Sequence, residues 1–142
     1  MDQQTGMKSA GWVLTAHGGL QVALTTLGLV VIWLTSLVYG SLGAVIAISE
    51  GETGAAVGLF LMGVATGLAC SIIVLPFLIT YLLQLAAGVQ LLRRREWAVI
   101  PATVLALLGI WAFPLGTMTA IVATLVLWVP RLSEPADGVV AV

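Results

Sequence analysis

"GVQLLRRREWAVIPA", residues 88–102, sets three consecutive arginines and a glutamate in a 142-residue chain that is 61% hydrophobic and only 8% charged. An arginine at the centre of a membrane helix costs about 2.5–3.5 kcal/mol even on the lenient insertion scale. Arg93, Arg94 and Arg95 therefore stand outside any hydrocarbon and divide the chain. Upstream, residues 53–92 contain no Asp, Glu, Lys, Arg or His, and downstream neither do residues 97–130. Among Asp, Glu, Lys, Arg and His, residues 9–49 carry only His17. A bilayer-spanning helix needs about 20 apolar residues, and each of these stretches exceeds that.

The charge-free stretches, cut at their polar and turn-forming residues, predict an all-α integral membrane four-helix bundle. Two long helices over 20–48 and 55–92 precede a short helical hairpin over 96–113 and 115–129. The bundle is expected to occupy residues 1–132 as one domain, with 133–142 a flexible tail. Residues 10–19 are either an interfacial turn or the start of the first helix. "SEGETG" at 49–54 holds two glycines and two glutamates and reads as a solvent loop. Pro76 lies inside the second helix and predicts a kink, because proline lacks the N–H its turn needs and crowds the carbonyl four residues back. Pro101 falls in an early turn of the third helix, where that N–H has no intrahelical partner to lose. Pro130 is expected to stop the fourth helix. The first apolar run is too long for the core of a signal peptide, which holds roughly 7–15 residues.

Short loops rich in Lys and Arg remain on the cytoplasmic side. Lys8, the arginine triplet and Arg131 all fall on one side of a four-span path, while Glu50 and Glu52 fall in the opposite loop. Both termini are then cytoplasmic. Trp97, Trp12 and Trp128 sit at helix ends on that side, as interfacial anchors do. Beyond setting topology, Arg93, Arg94, Arg95 and Trp97 are candidates for contact with anionic lipid headgroups. Three arginines are fewer than the cluster of about four to eight that marks a dedicated lipid site.

Within lipid, helices associate through close backbone approach and polar contacts. Small residues recur at helical spacing on every helix, among them Gly40, Gly63 and Gly67, Gly109 and Gly116. They serve packing inside the chain or a face for a second copy, with Gly63 and Gly67 the leading candidates for the latter. His17 is a helix-end side chain bonded to a carbonyl or water, or a pH-sensitive residue. Gln21, Gln84 and Gln90 with Thr25, Thr26, Thr35, Thr66 and Thr80 either bond between helices or line a narrow polar path.

Catalysis requires groups that meet in one place, and one His, one Cys and no intramembrane carboxylate supply no dyad. Cys70 alone makes neither a disulfide within the chain nor a metal-ligand spacing. No phosphate-binding or dinucleotide fingerprint occurs, so no enzyme activity and no cofactor are expected. The net charge of −1 without a basic stripe points away from nucleic acid. Membrane lipids, further copies of the chain or a partner membrane subunit are the expected partners.

Gly88, the Leu-Leu-Arg-rich stretch 91–95, Trp97-Ala98 and the Pro-Leu-Gly-Thr turn at 114–117 form a recurring set. Over residues 85–128 the chain resembles a group of small bacterial four-span membrane proteins with this order of motifs. Val99, where that group often has a basic residue, and Ala120, where it often has a glycine, depart from the pattern. The resemblance implies an inner-membrane bundle and carries no activity with it. A non-catalytic scaffold, accessory subunit or homo-oligomer is the expected function, and a small oligomeric channel is the alternative.

Overall fold

Gly51 and Arg94 end the two longest helices, and both do so by the same device. The computed structural model of the protein describes residues 3–111 and 115–133. It is all-helical there: α1 (Gln3–Ser49), α2 (Thr53–Leu92), α3 (Val99–Leu108) and α4 (Leu115–Ser133), with single 3-10 turns at Glu96–Ala98 and Gly109–Trp111. After α1, Gly51 turns left-handed (φ 81°), Glu52 N–H donates to the Ala47 carbonyl at 2.9 Å and Gly51 N–H to Ile48 at 3.0 Å. After α2, Arg94 takes the left-handed position (φ 56°), Arg95 N–H donates to Gln90 at 3.1 Å and Arg94 N–H to Leu91 at 2.9 Å. These paired bonds are Schellman caps, which satisfy carbonyls that a helix end leaves open. Glycine adopts the position freely, and arginine does so at a cost.

Several boundaries differ from the sequence expectation. α1 begins at Gln3, so residues 10–19 are its body and no separate interfacial turn exists. Two of their glycines, Gly11 and Gly18, pack closely against the α2 backbone. α2 runs through Pro76 without a break. The third helix is α only over ten residues and tightens to 3-10 geometry at both ends. α4 passes Pro130 and ends at Ser133, where Arg131 Nη1 donates to the Leu127 carbonyl at 3.0 Å and supplies a donor beside the proline. Residues 113 and 114 of the expected turn, and the expected tail beyond 133, lie outside the described residues.

The chain divides into two units. The first comprises residues 1–21 and 80–142. Its core is alanine-rich: Ala10, Ala98, Ala102, Ala106 and Ala123 are fully buried with Leu14 and Leu91, and Met7, Ala87, Val99, Ala120 and Leu127 are buried beside them. Small side chains let backbones come close. A Cβ on Gly11 would lie 3.0 Å from the Gly88 carbonyl, one on Gly18 2.9 Å from Leu85 N, and one on Gly88 2.8 Å from Thr15 N. Trp128 Nε1 donates to Thr103 Oγ1 at 3.1 Å, which joins the later part of α4 to the middle of α3.

The second unit, residues 22–79, is an antiparallel pair formed by the later part of α1 and the earlier part of α2. The two cross where Gly40 meets Gly63, and a Cβ on Gly63 would stand 2.5 Å from the Ser36 carbonyl and 3.1 Å from Gly40 Cα. One turn further on, the Trp33 ring covers Gly67 at 3.0 Å from a built Cβ. Trp33 Nε1 donates to Ser71 Oγ at 2.9 Å, and Ser71 in turn donates to the Gly67 carbonyl at 2.8 Å. Large apolar side chains such as Leu34, Val45, Met62 and Ile72 point outward. In the most apolar 18-residue windows of α1 and α2, only 6% of residues are buried.

Candidate functional site

The arginine loop is built by the α2 cap. The left-handed turn at Arg94 stops α2, and Arg94 Nη1 donates to Gln4 Oε1 at 2.7 Å, which ties the loop to the start of α1. Arg93 and Arg95 are exposed, as is Trp97 at 64%. Lys8 lies on the same first turns of α1, and Arg131 lies in the last turn of α4. α3 and α4 form a hairpin, and Trp128, one turn before Arg131, bonds to Thr103 in the middle of α3, so the last turn of α4 runs toward the start of α3. All five basic residues of the chain therefore gather at one end of the first unit.

The glycines separate by unit. Gly40, Gly63 and Gly67 make backbone and Trp33 contacts within the second unit. Gly109 and Gly116 are buried in the first. Sequence reasoning passed over Gly11 and Gly18, although their seven-residue spacing is a signature of a helix seam. Beside the Gly40–Gly63 crossing runs a half-open groove of about 330 Å³, lined by Thr35, Ser36, Tyr39, Leu59, Met62 and Thr66.

His17 is only 7% exposed and lies inside the first unit, not at a helix end. Its ring meets Tyr81 edge-on with centroids 6.4 Å apart. Gln84, one turn along α2 from Tyr81, is fully buried against Gly109. Neither amide atom of Gln84 nor His17 Nε2 has a hydrogen-bond partner in the protein. Of the other residues considered for a polar path, Thr26, Thr35 and Thr66 are exposed, and Thr66 Oγ1 donates to the Met62 carbonyl of its own helix at 2.8 Å. Gln84 thus lies in the interior of the first unit and these three threonines on the outer surface of the second, while Gln21, Gln90, Thr25 and Thr80 are half-buried.

Cys70 is a half-buried free thiol, and no group of three His, Cys, Asp or Glu side chains suited to a metal occurs among the described residues. Three helices, α1, α2 and α4, are long and apolar enough to cross a membrane. No protein-family model, curated protein or solved structure matches the chain.

Proposed function

We propose that the chain is a non-catalytic component of the bacterial cytoplasmic membrane, a scaffold or accessory subunit that assembles with further copies or with a partner membrane protein. The observation that carries this reading is the outward-facing apolar surface of the second unit. In water, each exposed Leu, Ile or Phe forgoes roughly 1.5–3 kcal/mol of burial, and a monomer rarely tolerates such a surface over more than a few hundred Å². Lipid removes that cost. The five basic residues at one end of the first unit support an orientation with that end, and both termini, in the cytoplasm. The resemblance over residues 85–128 supports the same compartment.

Helix length supports assembly. Residues 9–49 amount to about 60 Å of helix, twice the ~30 Å hydrocarbon core. Tilts of up to about 40° absorb part of the excess, and protein cover accounts for the rest. The mass of the purified chain in a mild detergent, from light scattering with detergent subtracted, tests this. A discrete multiple of the chain mass, or a stoichiometric membrane partner that co-purifies, is expected. A monomer without such a partner overturns the assembly.

A second reading, a small oligomeric permeation protein, draws on the exposed Thr35 and Thr66 beside the groove of the second unit. Solute flux through vesicles containing the oligomer would support it, and flux unchanged by Thr35→Val with Thr66→Val would remove it.

A further inference from the structure

The interior of the first unit contains polar chemistry that neither packing nor the basic loop uses. Gln84 is completely buried, and neither its Oε1 nor its Nε2 meets a protein partner. A buried polar group left unpaired loses its hydration with nothing in return, and Gln84 presents two such atoms. His17 adds a third, its buried Nε2. The α1–α2 register brings them to one level: a Cβ on Gly18 would touch the Tyr81 carbonyl at 3.2 Å and Leu85 N at 2.9 Å, so the 17–18 step faces the 81–85 turn. From α3, Gly109 closes the level, with a built Cβ 3.5 Å from Gln84 Nε2 and 3.8 Å from Oε1. A methyl group fits there in ordinary contact, so the glycine leaves the backbone facing the amide with no side chain between them.

We propose that His17, Gln84 and Gly109 frame an internal hydration site that holds a buried water. The guest must both donate and accept, because the amide offers N–H and C=O together and the imidazole offers a further nitrogen. It must be neutral, since the nearest charged side chains along α1 and α2 are Lys8 and Arg93, each nine residues away along its helix, roughly 14 Å. It must be small, because Gln84 is completely buried and the Gly109 backbone stands directly beside its amide. A buried water with two to four polar partners meets all three conditions. Gly109 is accordingly the opening that admits the guest, and its φ of −71° and ψ of −7° would accept alanine without strain.

The test uses the full-length chain in lipid nanodiscs with ¹⁵N-labelled glutamine, the Gln84 side-chain amide being assigned by its loss in Gln84→Met. Magnetisation transfer from water to the Gln84 amide protons is expected, and it should be lost in Gly109→Ala. An observed Gln84 amide without water transfer overturns the proposal, and so does transfer unchanged by Gly109→Ala. Thermal unfolding gives an independent reading. Around a hydrated amide, Gly109→Ala and Gln84→Met both lower the midpoint. Around a dry one, both raise it, because alanine favours the helix and methionine removes an unpaired polar group; that outcome also overturns the site. These readouts are intrinsic to one chain, so they stand or fall separately from the assembly proposed above.

Discussion

Gly63→Ala is the smallest change that probes the helix crossing of the second unit. The added Cβ would fall 2.5 Å from the Ser36 carbonyl and 3.1 Å from Gly40 Cα, both backbone atoms that no side-chain rotation can move. Restoring ordinary contact requires α1 and α2 to separate there by roughly 0.7–1 Å, and a gap of that size forfeits a quarter to a half of each affected contact's attraction. Overpacking of this kind costs about 1–3 kcal/mol. Alanine recovers about 1 kcal/mol of helix propensity, so a net loss of roughly 0–2 kcal/mol remains. Gly58→Ala supplies the control, since a Cβ there meets nothing within 4 Å and the propensity gain should appear undiminished. The two variants should therefore differ by about 1–3 kcal/mol, with Gly63→Ala the less stable. Unfolding by sodium dodecyl sulfate in mixed micelles, followed by circular dichroism, measures the difference. Equal stability, or a more stable Gly63→Ala, would refute the crossing geometry.

Other positions give equally direct expectations. Gly51→Ala forces a side chain into the left-handed cap after α1 (φ 81°) and should cost about 1 kcal/mol in the same unfolding assay. Arg94→Gly relieves that strain after α2 by about 1 kcal/mol but loses the bond to Gln4, worth about 1.5–3 kcal/mol to a charged donor when shielded and less in this exposed place; Gln4→Ala with Arg94→Gly should be more stable than Gln4→Ala alone. Trp33→Phe and Ser71→Ala each break the 2.9 Å indole–hydroxyl bond at about 0.5–1.5 kcal/mol. Their double variant should cost less than the sum, whereas strict additivity would show that the bond contributes nothing.

How much of this was legible in the sequence depends on range. The loop at 49–54 and the arginine turn were visible because charges and glycines interrupt otherwise uncharged stretches, and the structure ends α1 and α2 at Ser49 and Leu92. The start of α1 was not. Thr15, His17, Gly18 and Gly19 look like a membrane-surface segment when a helix is trimmed to bilayer length. In the fold Gly18 lies against the α2 backbone and His17 faces inward. A hydrogen bond such as Trp33–Ser71 joins residues 38 apart, and no local pattern signals it. Gln84 was grouped with the threonines by polarity alone, and only the α1–α2 register separates it from them. Pro130 was read as a stop, although a proline in the last turn removes few bonds and Arg131 supplies a donor nearby.

The central claim, a membrane bundle with its basic end in the cytoplasm, is tested most directly by cysteine accessibility in intact cells. Cys70→Ala provides a cysteine-free background, into which single cysteines are placed at Glu52 and at Arg95. The account predicts that a membrane-impermeant maleimide, applied once the outer membrane is permeabilised, labels position 52 and leaves position 95 unlabelled until the inner membrane is opened. Labelling of position 95 from outside, or equal labelling of both positions, would contradict it.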